Sequence, residues 1–326
     1  MFYPCADKQE IITNLTYTRL TITSVEYTII LSDSLNSRPD PVYDSGASRY
    51  DTVDLHCHST CSDGALSVRA LIERASAAQV KWFSITDHDT LNGQVEALAA
   101  GLEHDVPTVS GVEWSAVWEG YLIHIVGLNF ALSHPLSQQA EAAQGKARAK
   151  RAERIAYKLT KAGFAGVTEW LAEQPDHTTL GRPHVAEFLV RTGQAKSSAQ
   201  LFKQHLGSGK AGDVKTHWPS VDEVVAWIVG AGGVAVLAHP HRYRMTWRKR
   251  DALLADFSAA GGQAVELGVP GVPPNMREHL VTLAQKYELR GSSGSDFHHD
   301  QQHWLKLGHA PPLPRGIRPV WELFAS

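Results

Sequence analysis

From Asp51 onward, short apolar runs alternate with stretches whose apolar residues recur at helical spacing. Val53–His58, Val80–Thr86, Pro107–Val112 and Tyr121–Leu128 read as strands. Ser67–Ala78 reads as a helix with Leu66, Ala70, Leu71, Ala75 and Ala78 on its buried stripe, and Val95–Leu102 as another. Such alternation predicts an α/β architecture with largely parallel strands. At Leu132 the pattern changes. A long helix over Ser137–Ala162 is closed by Gly163, a second helix starts near Val167, and a third follows Gly181-Arg182-Pro183-His184, where Pro183 suits a first turn. No strand is expected again until Val234–Leu237, after a helix over Val221–Val229; Ala264–Leu267 is a further strand and Pro274–Tyr287 a further helix. The expected organisation is therefore one domain from residues 51–131 and 221–326, interrupted by an inserted helical subdomain over 132–220. Residues 1–50, rich in Thr and Ser with a β-prone run from Leu20 to Leu31, read as a poorly ordered leader.

The 326 residues suffice for a sizeable core, and a formal charge of −3 argues against broad electrostatic coating of nucleic acid. Seventeen histidines beside three cysteines favour imidazole and carboxylate chemistry over thiolate chemistry. Few cysteines, no apolar run of the ~20 residues a membrane span needs, and no signal-peptide pattern make a cytoplasmic location the expectation.

The polar positions carry the chemistry. In a strand His56 and His58 point one way while Leu55 and Cys57 point the other, and Asp63 follows on a turn. His88 lies just past the second strand. Asp89, with Thr90 and Asn92, reads as a cap for the helix that follows. Glu113 ends the third strand, His124 interrupts the fourth, His239 follows Val234–Leu237, and Asp296 and His298 form a late D-x-H. Nine such N and O donors exceed what one ion needs, so two or three divalent ions are expected, with Mn²⁺ favoured by availability and Zn²⁺ or Fe²⁺ chemically acceptable. Arg182 and His184 at a helix start, and Lys210 in a Gly-rich turn, are candidate phosphate contacts. The remaining basic residues of the long helix, Arg148 and Arg151 among them, read as a solvated face.

The motifs D-L-H-C-H-S-x-x-S-D-G, I-T-D-H-D-T, G-V-E, H-I-V-G, L-A-H-P and G-S-D-F-H resemble the polymerase-and-histidinol-phosphatase (PHP) family of metal-dependent phosphoesterases, from about Asp51 to the C-terminus. The resemblance implies a distorted (β/α)₇ barrel with a trinuclear site, and places His56, His58, Asp63, His88, Glu113, His124, His239, Asp296 and His298 at metal-binding positions. The G-R-P-H insertion resembles the branch holding 3′,5′-nucleoside bisphosphate phosphatases and a 5′-to-3′ exoribonuclease. Two departures stand out: residues 1–50 have no counterpart in the family core, and His241 stands where glycine is common in H-P-x-R-Y. The expected activity is hydrolysis of phosphate monoesters of small nucleotides, 3′,5′-bisphosphates of the pAp type first. A metal-bound hydroxide is the expected nucleophile, no protein side chain serves as one, and Arg182, His184, Lys210 and Arg242 assist the phosphate. Exoribonuclease action on short RNA, histidinol phosphate hydrolysis, and a regulatory metal-binding module without catalysis are the rival readings. No membrane or stable protein partner is expected.

Overall fold

The computed structural model describes residues 17–22, 25–30, 52–174, 180–207, 209–214, 218–301 and 305–324. It divides into two units, residues 1–49 and 50–326. In the first, β1 (Tyr17–Ile22) and β2 (Val25–Ile30) pair antiparallel, so the β-prone run of the leader folds as two strands. The rest of the leader lies outside the described residues.

In the second unit, β3 (Val53–Asp54) pairs parallel with β4 (Trp82–Phe83). Five further strands form a sheet in sequence order: β5 (Gly111–Trp118), β6 (Tyr121–Leu128), β7 (Val234–Leu237), β8 (Ala264–Gly268) and β9 (Arg290–Ser293). Backbone bonds close the circuit. Phe83 N donates to Pro107 O at 2.9 Å and Glu113 N to Asp87 O at 3.1 Å, joining the β4 side to β5; Leu55 N donates to Ser293 O at 3.0 Å and Asp296 N to His56 O at 2.8 Å, joining β9 to β3. Seven strands thus form the barrel, and its distortion has a visible source. β6 runs antiparallel to both β5 and β7, contrary to the expectation of largely parallel strands, because β5 and β6 are the arms of one long hairpin.

Strand alternation sorts the two faces. Ile123 and Ile125 of β6, Ala235 and Leu237 of β7, and Val265 and Leu267 of β8 pack outward against α7 (Val221–Gly230), α8 (Trp247–Ala259) and α9 (Pro274–Lys286). Val126 and Leu128, Val234 and Val236, and Ala264 point the other way into a second apolar cluster that includes Val320. His124 and Glu266 share this inward parity. On the far side α1 (Val68–Ala77) and α2 (Gln94–Glu103) cover β4. Ser67 caps α1 as its sequence predicts; of the expected stripe Leu71 and Ala75 are buried and Leu66 and Ala78 pack against the same cluster, while Val68 and Ile72 take the place of Ala70.

The segment between β6 and α7 is helical among its described residues: α3 (Pro135–Lys161), α4 (Val167–Ala172), α5 (Arg182–Arg191) and α6 (Ser198–Leu201), the last continuing into a π-helical turn at Phe202–Leu206. The first turns of α3 join the barrel core through Ala140, whereas Ile155, Ala156 and Leu159 build a separate core with Val185, Leu189 and Leu206. One helix therefore belongs to both layers. No helix among the described residues is long and apolar enough to cross a membrane.

Candidate metal centre

Strand β3 and the residues after it deliver the first donors. His56 and His58 are fully buried with their Nε2 atoms 3.2 Å apart, and the backbone is packed closely enough around them that side chains are excluded nearby. A Cβ on Gly64 would lie 2.0 Å from His58 O, and one on Gly294 would lie 2.4 Å from His56 Cβ. Glycine at both positions is a steric requirement.

All nine donors read from the sequence come together, in four overlapping groups whose ligand atoms lie within 4.8 Å of one another: His58, Asp63, His88 and His298; His56, Glu113 and His239; His56, His58 and Asp296; His88, Glu113 and His124. Glu113 is the hub. Its Oε1 lies 2.8 Å from both His124 Nδ1 and His239 Nε2, while its Oε2 lies 2.9 Å from His88 Nδ1 and 3.4 Å from the Nε2 atoms of His56 and His58. Asp296 Oδ1 stands 3.3 Å from His58 Nε2 and 3.4 Å from His56 Nε2. Asp63 Oδ1 stands 3.5 Å from His298 Nε2. One position differs from expectation: Glu113 is the third residue of β5 and not its end, because the strand continues as the hairpin arm, whereas His124 lies inside β6 as expected.

The electrostatics follow from burial and crowding. Burial raises the carboxyl pKa of Glu113, but His88, His124 and His56 outweigh it and hold the group well below the usual range. Asp296 is held low against burial by His56, His58 and His298. For His58, burial and the neighbouring His298 and His88 push the pKa down to about 3, so its ring is neutral and available as a ligand. Burial also opposes protonation of His88, yet Glu113 and Asp63 raise its pKa to about 9. His58 Nδ1, Asp63 Oδ1 and His239 Nδ1 are buried without hydrogen-bond partners. Orphaned donors in one cluster fit divalent ions, which would satisfy several at once. Backbone strain points the same way. His239 (φ 30°) and Asp296 (φ 52°) are both left-handed, and His239 does this directly before Pro240, where helical conformations are disfavoured.

Supporting residues were harder to foresee. Glu266, buried in β8, accepts from His56 Nδ1 at 2.5 Å and from His239 N at 2.6 Å, which turns His56 Nε2 toward the cluster. Its only mark in the sequence is a carboxylate inside an apolar strand. Asp87 holds Ser59 N at 2.8 Å and both Ser59 and Ser62 hydroxyls at 2.5 Å, fixing the turn that carries Asp63. Asp89 is not the helix cap expected of it: Gly93 occupies that position. With φ 52°, Asp89 instead accepts from Ser115 N at 2.6 Å and from Arg148 Nε at 2.8 Å.

The four candidate phosphate contacts separate. Arg242 pairs through Nη1 with Asp296 Oδ2, at the cluster itself. His184 accepts from Gly181 N at 3.0 Å; burial lowers its pKa while the charge of Asp63 opposes, which places it at the cluster's edge. Arg182 donates to Leu206 O at 3.0 Å and lies 3.7 Å from Asp213. Lys210 is not brought in. It is exposed at the end of a turn whose N–H closes on Gly207 O, and no contact of its ammonium with the cluster occurs among the described residues.

The PHP domain profile matches residues 54–220. The chain is 41% identical to the 5′-3′ exoribonuclease of Haemophilus influenzae over 83% of its own length and 98% of that protein's. It is 37% identical to the 3′,5′-nucleoside bisphosphate phosphatase of Chromobacterium violaceum, over 83% and 95%. A solved amidohydrolase from C. violaceum with bound sulfate aligns at a TM-score of 0.76 and 37% identity, covering 84% of this chain and 96% of that one. A protein of Bifidobacterium adolescentis assigned as a metal-dependent phosphoesterase aligns at 0.68 and 30%, covering 82% and 92%. A barrel mouth lined by imidazoles and carboxylates, together with these matches, leads to one conclusion: the chain belongs to the PHP family and is a metal-dependent phosphoester hydrolase.

Proposed function

We propose that the protein cleaves the phosphoester on the 3′-oxygen of 5′-phosphorylated nucleotides, with 3′,5′-bisphosphonucleosides of the pAp type giving nucleoside 5′-monophosphate and phosphate. The observation that carries this reading is the nine-donor cluster bordered by His184 and Arg242, taken with the names of its relatives. Those names share one chemistry. A bisphosphate phosphatase removes a terminal 3′-phosphate, whereas an exonuclease working from the 5′ end can cut the same bond when that phosphate bears another nucleotide.

His56, His58, Asp63, His88, Glu113, His124, His239, Asp296 and His298 would hold two or three divalent ions, and manganese is our choice among those the thiolate-free donor set accepts. Bound ions would neutralise phosphate oxygens and lower the pKa of water toward neutrality. Protein groups do the rest. Glu113 offers its two oxygens to different histidines and so locks the spacing of the cluster. Glu266 orients His56, and Arg242, aligned by Asp296, presents its remaining N–H groups to phosphate oxygens.

Exoribonuclease action on short RNA is the second reading, favoured by the H. influenzae relative and by the Escherichia coli 5′-3′ exoribonuclease Rnm, 40% identical over 83% of this chain. The test compares turnover of pAp, AMP, a short 5′-phosphorylated RNA and histidinol phosphate by manganese-loaded protein. The expected result is pAp first and the RNA second. A preference for histidinol phosphate, or equal rates on pAp and AMP, sinks the proposal.

A further inference from the structure

The buried stripe of α8 runs through Leu253, Leu254 and Phe257, and the position that opens it at helical spacing is Arg250. A cation thus begins an apolar face. Arg250 is only 2% exposed, and its hydrogen bonds among the described residues go to main-chain carbonyls of one segment: Nε donates to Pro240 O at 3.1 Å, and Nη2 to Tyr243 O at 3.1 Å and Met245 O at 3.5 Å. Burial lowers its pKa, and no ion pair offsets this among the described residues. The Trp247 ring covers the guanidinium, with its centroid 5.7 Å from Cζ. A buried cation without a counterion is costly, so leucine would serve this stripe better if packing were the only requirement.

The segment that Arg250 grips carries the end of β7 into the metal cluster. His239, at its start, meets Glu113 Oε1 at 2.8 Å, and Arg242, three residues on, pairs with Asp296 Oδ2. Pro240 O and Tyr243 O bracket the turn Pro240–Arg242, so one planar side chain holds both of its ends. The base of the segment is fastened separately. The Tyr243 hydroxyl donates to Ala238 O at 2.9 Å and accepts from His124 N at 2.9 Å, and His239 N donates to Glu266 at 2.6 Å. His239 is left-handed (φ 30°) directly before a proline, a conformation that persists only where its surroundings over-determine it. Arg242 is less enclosed: its side chain is 44% exposed, so its aim depends on the backbone beneath it.

We propose that Arg250 is a positioning residue for phosphate binding: by gripping Pro240 O and Tyr243 O it sets the orientation of the turn that aims Arg242, across Asp296, at the substrate. The inference rests on the phosphate contact proposed above for Arg242. Arg250 works from the outer helical layer through peptide groups. Lysine there would keep the charge and lose the paired N–H edge that spans two carbonyls.

A double-mutant cycle separates positioning from support of the fold. The variants are Arg250→Lys, Arg242→Ala and the pair, and the readouts on manganese-loaded protein are kcat/KM for a 3′,5′-bisphosphonucleotide and calorimetric affinity for inorganic phosphate. Arg250→Lys is expected to lower both about tenfold when Arg242 is present and less than about twofold once it is alanine. Arg250→Met, which has no donor, should lose at least as much, and Arg250→Lys carries the test if that variant does not fold. Manganese affinity of the metal-free protein, read by chelator competition, should move less than about threefold, because Glu113 and Glu266 hold His239 independently. Equal losses in both backgrounds overturn the inference, as does a fall in manganese affinity as large as the fall in turnover, for then Arg250 serves the fold or His239 and not Arg242. If no bisphosphonucleotide is turned over but phosphate affinity still shows the coupling, the positioning role stands and the proposed function falls.

Discussion

The barrel mouth and the inserted helices both bury charged side chains, but only the barrel supplies its own with counterparts from several strands. His56 is steered by Glu266 of β8, while Glu113 of β5 meets His88, His124 and His239, delivered from three other places along the chain. On α3, Arg148 has such a partner in Asp89, and Arg151 three residues later has none for its Nε. The difference assigns labour. A cluster over-determined by its neighbours holds geometry to a fraction of an ångström, as chemistry on phosphorus needs; a charge left without its counterion gains one when substrate arrives. On the proposed function, chemistry belongs to the barrel and choice of substrate to the insertion.

The strongest attempt to break this contrast is Glu113→Gln, which keeps the shape and removes the charge that five histidines share. Losing a ligand that positions the ions should cost several kcal/mol of transition-state stabilisation, roughly 10³-fold in kcat/KM on every phosphoester tried. Metal content by plasma emission, with circular dichroism as a folding control, separates lost ions from lost structure. Near wild-type turnover by a folded variant would falsify the assignment of this cluster to catalysis.

Glu266→Gln asks whether the supporting carboxylate matters as the geometry says. Removing an orienting partner of a metal-ligating histidine typically costs ~10–100-fold in metal affinity or activity, and the loss should be equal for bisphosphate and monophosphate substrates. A loss restricted to one substrate would mean that Glu266 serves recognition.

Metal loading should also depend on pH in a direction fixed by His88. Its pKa, raised to about 9 in the metal-free protein, means that the ring is protonated at neutral pH and must shed that proton to ligate. Apparent affinity should therefore rise as pH rises and flatten above about 9, up to tenfold per pH unit for a single proton displaced. The same sign governs stability. Protonated His88 stabilises the metal-free fold fully below the unfolded pKa, and this contribution is lost as pH climbs through about 9. Chelator competition across this range checks the slope; a flat profile would remove His88 from the ligand set.

How much of this was legible in the sequence depended on the distance between partners. An imidazole inside or just past an apolar strand is conspicuous, and strand parity alone put His56 with His58, and His124 opposite Ile123 and Ile125. Glu266 was not legible because its partner His56 lies 210 positions away, so nothing local distinguishes it from a satisfied core carboxylate. Asp89 followed a cap pattern that the chain did not use: the turn carries on to Gly93, and Asp89 rotates into a left-handed conformation to reach Ser115 and Arg148. Arg148 and Arg151 were misleading for a different reason. Basic residues spread all round α3, and which of them are buried is decided by packing against the barrel and against Trp218.

The smallest expected effect is the most discriminating, because Lys210 and Arg151 are both cations of the insertion and differ in burial. Lys210 is exposed, so its ammonium is hydrated and screened, and holding so long a side chain in one pose costs about as much as a surface ion contact returns. Lys210→Ala should change kcat/KM for a 3′,5′-bisphosphonucleotide by less than about twofold, within the ~0–1 kcal/mol ordinary for exposed charges. Raising the salt should shrink even that. Parallel assays of Lys210→Ala and Arg151→Met on bisphosphate and monophosphate substrates provide the comparison. If Lys210→Ala instead lowers bisphosphate turnover as far as Arg151→Met does, recognition by the insertion is carried by its exposed cations as well as by its buried face.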